Sequence, residues 1–324
     1  MLTFVARRLL YSVPVLVCAT FLIFVFVSLS SNPLALLYQN PRITRAEIAT
    51  IAHAKHLDEP VVVRYGYWVR DAALHRFGTG LTSPRPIWPD LTRVLGHTLE
   101  LLGFVLVISV ALGVAIGIYS AVRQYSFFDY ASTTLSFVGF AMPVFWIALV
   151  LQVIFTDVYL HWHVRIFYTA GLSSPNPGHG LHFVLDRAQH LALPVIALSF
   201  LGVANYSRFM RASMLEVINA DYTRTARAKG LGERGVIMRH VVRNALIPLV
   251  TQVALGFGAV FGGAVVTEQV FALDGMGHFF ITALFAGDPY PVMAWLVVVA
   301  IMVIVFNLIA DVLYGVLDPR IRYD

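Results

Sequence analysis

Three glycines, Gly230, Gly232 and Gly235, stand in Gly-x-Gly-x-x-Gly register inside the stretch "AKGLGERG". That spacing brings a backbone close to a pyrophosphate when a β-strand precedes it and a crossover helix follows. Here helix-forming residues 223–229 precede the glycines and an apolar block follows, which rejects a dinucleotide fold. The other chemistry-bearing residues are few. Arg208 with Arg211, Glu268 with Gln269, and Asn307 with Asp311 lie inside long apolar blocks, where ionisable residues are functional candidates. Each pair stands close enough to a block end to snorkel, which predicts structural roles. No block offers His-x-x-x-His or Gly-x-Ser-x-Gly, so an intramembrane hydrolase lacks both metal ligands and nucleophile. "HWH" at 161–163, without nearby carboxylates, reads as an interfacial anchor rather than a metal site. We expect no catalytic residue and no metal.

The elements that carry these residues are set by composition. The 324 residues are 58% hydrophobic and 13% charged, with mean hydropathy +0.75. A soluble domain is roughly 25% charged, so lipid is the expected solvent for most of this chain. The single Cys18 lies in an apolar block and excludes a disulfide framework. A net charge of +5 fits retention of Lys and Arg on the cytoplasmic side of a membrane better than nucleic-acid binding.

Six apolar blocks of about 20 residues, enough to cross a bilayer as helix, run at 9–31, 98–122, 130–155, 191–210, 248–271 and 292–316. The first is too long for a signal peptide and has no Ala-x-Ala site after it, so a retained anchor is expected. Arg7, Arg8, Arg123, Arg320, Arg322 and the basic residues of 224–243 share one side if the spans alternate. The positive-inside rule makes that side cytoplasmic, with both termini on it. The segment 32–97 is long enough to escape the rule. Within it, Thr44 and Glu47 form a capping-box pattern that predicts a helix over 44–57, and 61–74 predicts a second. Prolines in "SPRPIWPD" close the segment, and 157–190 reads as an irregular outer loop. Gly113-x-x-x-Gly117 and Gly258-x-x-x-Gly262 allow close approach between helices.

The segment 219–248 reads helix, tight turn, helix. Gly230 is placed where a left-handed residue ends a helix, and Gly232 or Glu233 starts the next. A DNA-reading pair tethered to the bilayer at both ends could hardly enter a major groove. What remains is a short basic knuckle shaped to dock into another protein.

This segment resembles the "EAA" loop of ABC-importer permeases, in the version of the oligopeptide/dipeptide permease B-subunit family. The resemblance rests on Tyr222, Arg224, Thr225, Ala226, Arg227, Ala228, Lys229, Gly230, His240, Arg243, Asn244, Ala245, Leu246, Ile247 and Pro248. It extends to "GHTLELL", "GFAMPVFWIAL", "TEQVFALDGMGHFFITAL" and "DVLYGVLDPRIRY". It implies an all-α type I importer permease with six transmembrane helices. Its parts would be an anchor and extracytoplasmic loop over 1–94, a permease core over 95–316 and a cytoplasmic tail over 317–324. It further implies a second homologous permease, two ATPase subunits carrying ATP and Mg, and an extracytoplasmic peptide-binding protein. Thr225, Ala226, Arg227, Ala228, Lys229, Gly230 and Leu231 would form the ATPase-coupling segment, supported by Tyr222, Arg224, His240, Arg243, Asn244 and Pro248. Ala226 and Leu231 would insert as apolar groups, with Arg227 and Lys229 as rim charge. The residues agree with an external energy source, since no Gly-x-x-x-x-Gly-Lys-[Ser/Thr] phosphate loop is present and no cofactor is expected on this chain. Peptides are the expected substrate class, with nickel chelates, glutathione or haem as alternatives in the same family. A proton-coupled carrier is the competing mechanism, and it would need intramembrane acid–base relays.

Overall fold

The computed structural model describes residues 2–30, 34, 38, 43–74, 76–81 and 85–317. It gives side-chain surroundings for these except 2–5, 30, 254, 255, 257–263 and 313–317. The described chain is helical apart from its turns, with one isolated β-bridge between Thr79 and Pro86. Among the described residues twelve α-helices of defined extent follow in order: α1 (Leu2–Ser30), α2 (Arg45–Ala54), α3 (Val61–Ala73), α4 (Ile87–Val122), α5 (Phe127–Ala141), α6 (Val144–Trp162), α7 (Leu181–Ile218), α8 (Asp221–Ala228), α9 (Glu233–Val236), α10 (Val242–Val270), α11 (Met276–Phe285) and α12 (Pro289–Leu317). A π-helical turn, Ile237–Val241, joins α9 to α10. Among the described residues five helices are long and apolar enough to cross a membrane, at Ala6–Leu29, Ile87–Val122, Val144–Trp162, Leu181–Ile218 and Pro289–Val312.

Several helix bounds differ from the sequence expectation, each for a local reason. The block 130–155 is two helices rather than one. Pro143 disfavours the helical region for the residue before it, and Met142 is accordingly extended, at φ −87° and ψ 126°. α4 starts eleven residues before the expected 98. Pro89 falls in its first turn, where a missing N–H removes no helical bond. The expected outer loop 157–190 shrinks from both ends, because α6 runs to Trp162 and α7 begins at Leu181. The Thr44 capping box forms as its spacing predicts, with Glu47 N donating to Thr44 Oγ1 (3.2 Å) and Thr44 N to Glu47 Oε2 (2.7 Å). Of the expected tail 317–324, Leu317 ends α12 and the rest lies outside the described residues.

Two compact units divide the chain. One comprises Leu2–Thr98 and Asp274–Val305. In it α1 and α3 meet through Phe24, Tyr65 and Trp68, whose rings lie 5.6 to 6.0 Å apart, and through Thr20 Oγ1 and Tyr65 Oη at 2.9 Å. The start of α11 is fixed by two bonds from α4. His97 Nδ1 donates to the Asp274 carbonyl (2.6 Å), and Thr98 Oγ1 accepts from Met276 N (2.8 Å). Asp288 is buried and accepts from Leu81 N (2.5 Å).

The other unit comprises Leu99–Leu273 and the chain from Phe306. Its first apolar cluster joins α4, α6 and α7 through Leu101, Ala148, Leu193, Ala197 and Phe271. α4 lies close along α7. A Cβ on Gly113 would fall 2.7 Å from Tyr206 Cβ, and one on Gly117 2.6 Å from Met210 Cβ, so neither position admits a side chain without displacing a helix. Gly258 and Gly262 lie within α10 but outside the residues whose surroundings are described.

Arg211 does not snorkel. Its Nε and Nη2 donate to the two carboxylate oxygens of buried Asp129 at 2.6 and 2.8 Å. Asp129 also accepts from Ser120 Oγ and from Tyr125 N (2.9 Å), so α4, α5 and α7 share one satisfied charge pair. Arg208 instead lies over the rings of Phe137 and Phe140, 5.1 and 4.9 Å from their centroids. Glu268, expected near an interface, is fully buried. Removing one partner of a buried ion pair strands the other. Asp129→Ala should therefore cost about 3 kcal/mol, read as a lower melting temperature of the detergent-solubilised chain, with Asp129→Leu plus Arg211→Met recovering much of it. Wild-type melting of Asp129→Ala would show that the pair holds nothing.

Candidate functional site: the turn between α8 and α10

The segment is built from two short helices and a sharp turn. α8 begins after Ala220, which is extended at ψ 150°. Its inner face is Thr223 and Ala226, both buried, and Thr223 Oγ1 donates to the Val217 carbonyl at 2.9 Å. This ties α8 back onto the last turn of α7. Lys229 caps the helix, and Gly230 then adopts φ +77° with its N–H bonded to Arg227 O at 2.9 Å. That left-handed conformation is where a Cβ costs most. Gly232 is extended at φ −61° and opens α9. A Cβ at Gly232 or Gly235 would meet nothing within 4 Å, so neither position needs glycine for space.

Both arms of the turn are anchored in one apolar cluster. Ala226 from α8, Val236 from α9 and Val241, Val242 and Ala245 beyond it pack with Met210 and Met214 of α7. Val236 and Val241 are both fully buried. Residues five apart would point about 140° apart on a regular α-helix. The π-helical turn between them brings both onto the inner face, a use of π geometry that adds a residue to the turn.

One charge pair closes the turn. Arg227 donates from Nε and Nη2 to the two oxygens of Glu233, at 3.0 and 2.8 Å, and from Nη1 to the Ile218 carbonyl at 3.3 Å. The hydrogen bond from Arg227 holds the Glu233 carboxyl below its usual range. A lowered carboxylate pKa means this contribution is present at neutral pH and fades only as pH falls through the folded-state value. The pair was not foreseen in the sequence, where opposite charges six apart across a glycine turn were the available signal.

These contacts sort the expected residues. Ala226 does not face outward for insertion, because its methyl completes this chain's own cluster. Arg227 serves as an internal clamp rather than rim charge alone. Thr225, Ala228, Lys229, Gly230 and Leu231 are exposed, as are Gly232 to Gly235. Of the expected supports, only two meet, with Asn244 Nδ2 donating to the His240 carbonyl at 2.6 Å. Tyr222, Arg224, Arg243 and Pro248 are exposed. Far from the turn, His161 is not without a carboxylate, since Asp157 stands one helical turn away at 3.1 Å.

Residues 113–323, which contain the whole turn, match the family described as "Binding-protein-dependent transport system inner membrane component". The chain belongs to that family. Relatives agree along the full length. The chain is 36% identical to the oligopeptide transport system permease protein AppB of Bacillus subtilis, covering 100% of both chains. It is 37% identical to the dipeptide transport system permease protein DppB of Alkalihalophilus pseudofirmus, again over 100% of both. Identity to the DppB protein of Escherichia coli is 33%, over 100% of this chain and 99% of that one. A crystal structure of an amino acid ABC transporter superposes with TM-score 0.52 over 70% of this chain and 93% of its own, at 14% identity. That likeness is one of fold, the type I importer permease. The permease is thus a multi-pass inner-membrane subunit that works with ATPase and binding-protein partners and is not itself the enzyme.

Because Gly230 alone of the turn's three glycines is left-handed, Gly230→Val should strain the turn by about 1–2 kcal/mol, whereas Gly232→Ala and Gly235→Ala should be tolerated. Limited proteolysis of the solubilised permease checks this. Faster cleavage within 228–236 is expected for Gly230→Val alone, and equal rates in all three variants would refute the assignment.

Proposed function

We propose that the permease imports peptides, paired with a second, similar permease and driven by two ATPase subunits that carry ATP and Mg. The peptide class rests on the oligopeptide and dipeptide systems named for its full-length relatives. The observation that carries the coupling role is the turn itself. Lys229, Gly230, Leu231 and Arg234 are presented outward from a base braced by Ala226, Val236 and the Arg227–Glu233 clamp. A rigid base with an exposed apolar tip and basic rim suits insertion into a groove of the ATPase. Leu231, half exposed, would be the inserted group and Lys229, Arg224 and Arg234 the rim. Ala226 supports from beneath.

In this reading six spans place both termini and the turn in the cytoplasm, and substrate arrives from the opposite side. ATP-driven closure of the ATPase pair would push the turn as one body with α7 and α10. That bias switches the spans between inward- and outward-facing states. The capped helix α2, together with α3, would form an outer platform for the binding protein.

The test is Leu231→Asp, which places a charge on an exposed tip and leaves the buried anchors intact. We expect normal membrane insertion, loss of ATPase co-purification and loss of peptide uptake. Normal uptake by this variant, or wild-type uptake blocked by an uncoupler and not by vanadate, would overturn the proposal.

A further inference from the structure

In the unit of Leu2–Thr98 and Asp274–Val305 lies a cavity of 340 Å³ that transport coupling leaves unused. Its floor is Phe24 and Val27 of α1, its near wall Tyr67 and Trp68 of α3, and its far wall Tyr290 at the start of α12. Four cations line it, Lys55, Arg64, Arg70 and Arg76, against the single carboxylate of Asp71. Arg70 is tied to Asp71, Nη2 to Oδ1 at 3.1 Å. Lys55 donates to the Thr79 carbonyl (3.0 Å) and lies 4.1 Å from the Tyr290 ring centroid. Arg64 lies 5.8 Å from the Phe24 ring centroid. Among the described residues no carboxylate forms an ion pair with Lys55, Arg64 or Arg76. Burial pushes the Lys55 ammonium below its ordinary range, with Asp288 partly opposing that shift. A bound anion would reverse it.

Two further observations point to a built site and to its depth. His56 is held at φ +53°, a region side chains rarely adopt, while its ring stacks on Tyr67 at 3.9 Å. Strain of this kind persists where surrounding structure over-determines it, and it gathers at binding sites. The floor residues belong to the last turns of the membrane-crossing stretch Ala6–Leu29. Tyr67 and Trp68 are the side-chain types that settle at headgroup level.

We propose that this cavity binds the phosphate headgroup of an anionic phospholipid, with Lys55, Arg64 and Arg76 around the phosphate. Guanidinium groups suit phosphate through paired donors. A free phosphate would satisfy the same cations but would not account for their position at the end of a membrane-crossing stretch.

The full-length permease, reconstituted in nanodiscs of equal phosphatidylglycerol and phosphatidylcholine, tests this by native mass spectrometry of retained lipid. Wild type should retain phosphatidylglycerol preferentially. Each charge removed in Arg64→Gln and Arg76→Gln should lower that preference roughly fivefold. Arg45→Gln with Arg123→Gln, which removes equal charge elsewhere, should leave it unchanged. Arg76→Glu provides a variant at an exposed position that leaves packing alone, and it should abolish the preference. Equal retention of both lipids by wild type, an unchanged preference in Arg76→Glu, or displacement of the lipid by millimolar inorganic phosphate would each overturn the assignment.

Discussion

The turn between α8 and α10 is held in one geometry because both of its arms sink into the same apolar cluster on α7. Ala226 enters from one side and Val236 and Val241 from the other, around Met210 and Met214. Apolar burial is undirected, so the cluster alone would not fix the angle between the arms. Gly230 sets the reversal, and the bidentate pair of Arg227 with Glu233 closes it. The exposed residues 228–235 therefore stand on a base packed against α7 and α10. The coupling role proposed for the turn needs this rigidity, because a floppy loop would absorb displacement rather than pass it on.

A second constraint runs through the same unit. Polar groups taken out of water must find partners inside the protein. Asp129 collects Arg211, Ser120 and the Tyr125 amide, and Gln152 donates to the carbonyls of Thr169 and Val270, both at 3.0 Å. Arg187 bonds Glu100 and the Leu172 carbonyl in the same manner. These bonds occur where helices end or loops return, the places where backbone groups lack helical partners. They fix the long helices to one another without placing an unpaired charge in the apolar interior.

Much of this was legible in the residues. Long uncharged blocks marked the helices, Thr44 and Glu47 marked the start of α2, and Gly230 marked the end of α8. These are local signals, set by solvent and by backbone sterics, so they survive without knowledge of what packs where. The reading of residues near block ends as snorkelling failed for Arg211 and Glu268. Its error was to treat each helix as facing lipid alone, when its neighbours supplied partners or walls. The break at Met142 was also readable, since the residue before a proline leaves the helical region, but the unbroken hydropathy of 130–155 concealed it.

The sequence by itself determined that the chain runs through a series of apolar helices with a basic, glycine-turned segment between two of them. Hydropathy and left-handed backbone preference are properties of residues and their nearest neighbours. Only the tertiary structure decided which face of that segment looks outward. Ala226 and Leu231 lie five residues apart and are both small-to-medium apolar groups, yet one is buried in the chain's own core and the other is half exposed. That division follows from where α7 and α10 stand around the turn. The structure also shows that, of the three opening glycines, Gly230 alone is left-handed, and that the other two stand where the backbone does not require glycine.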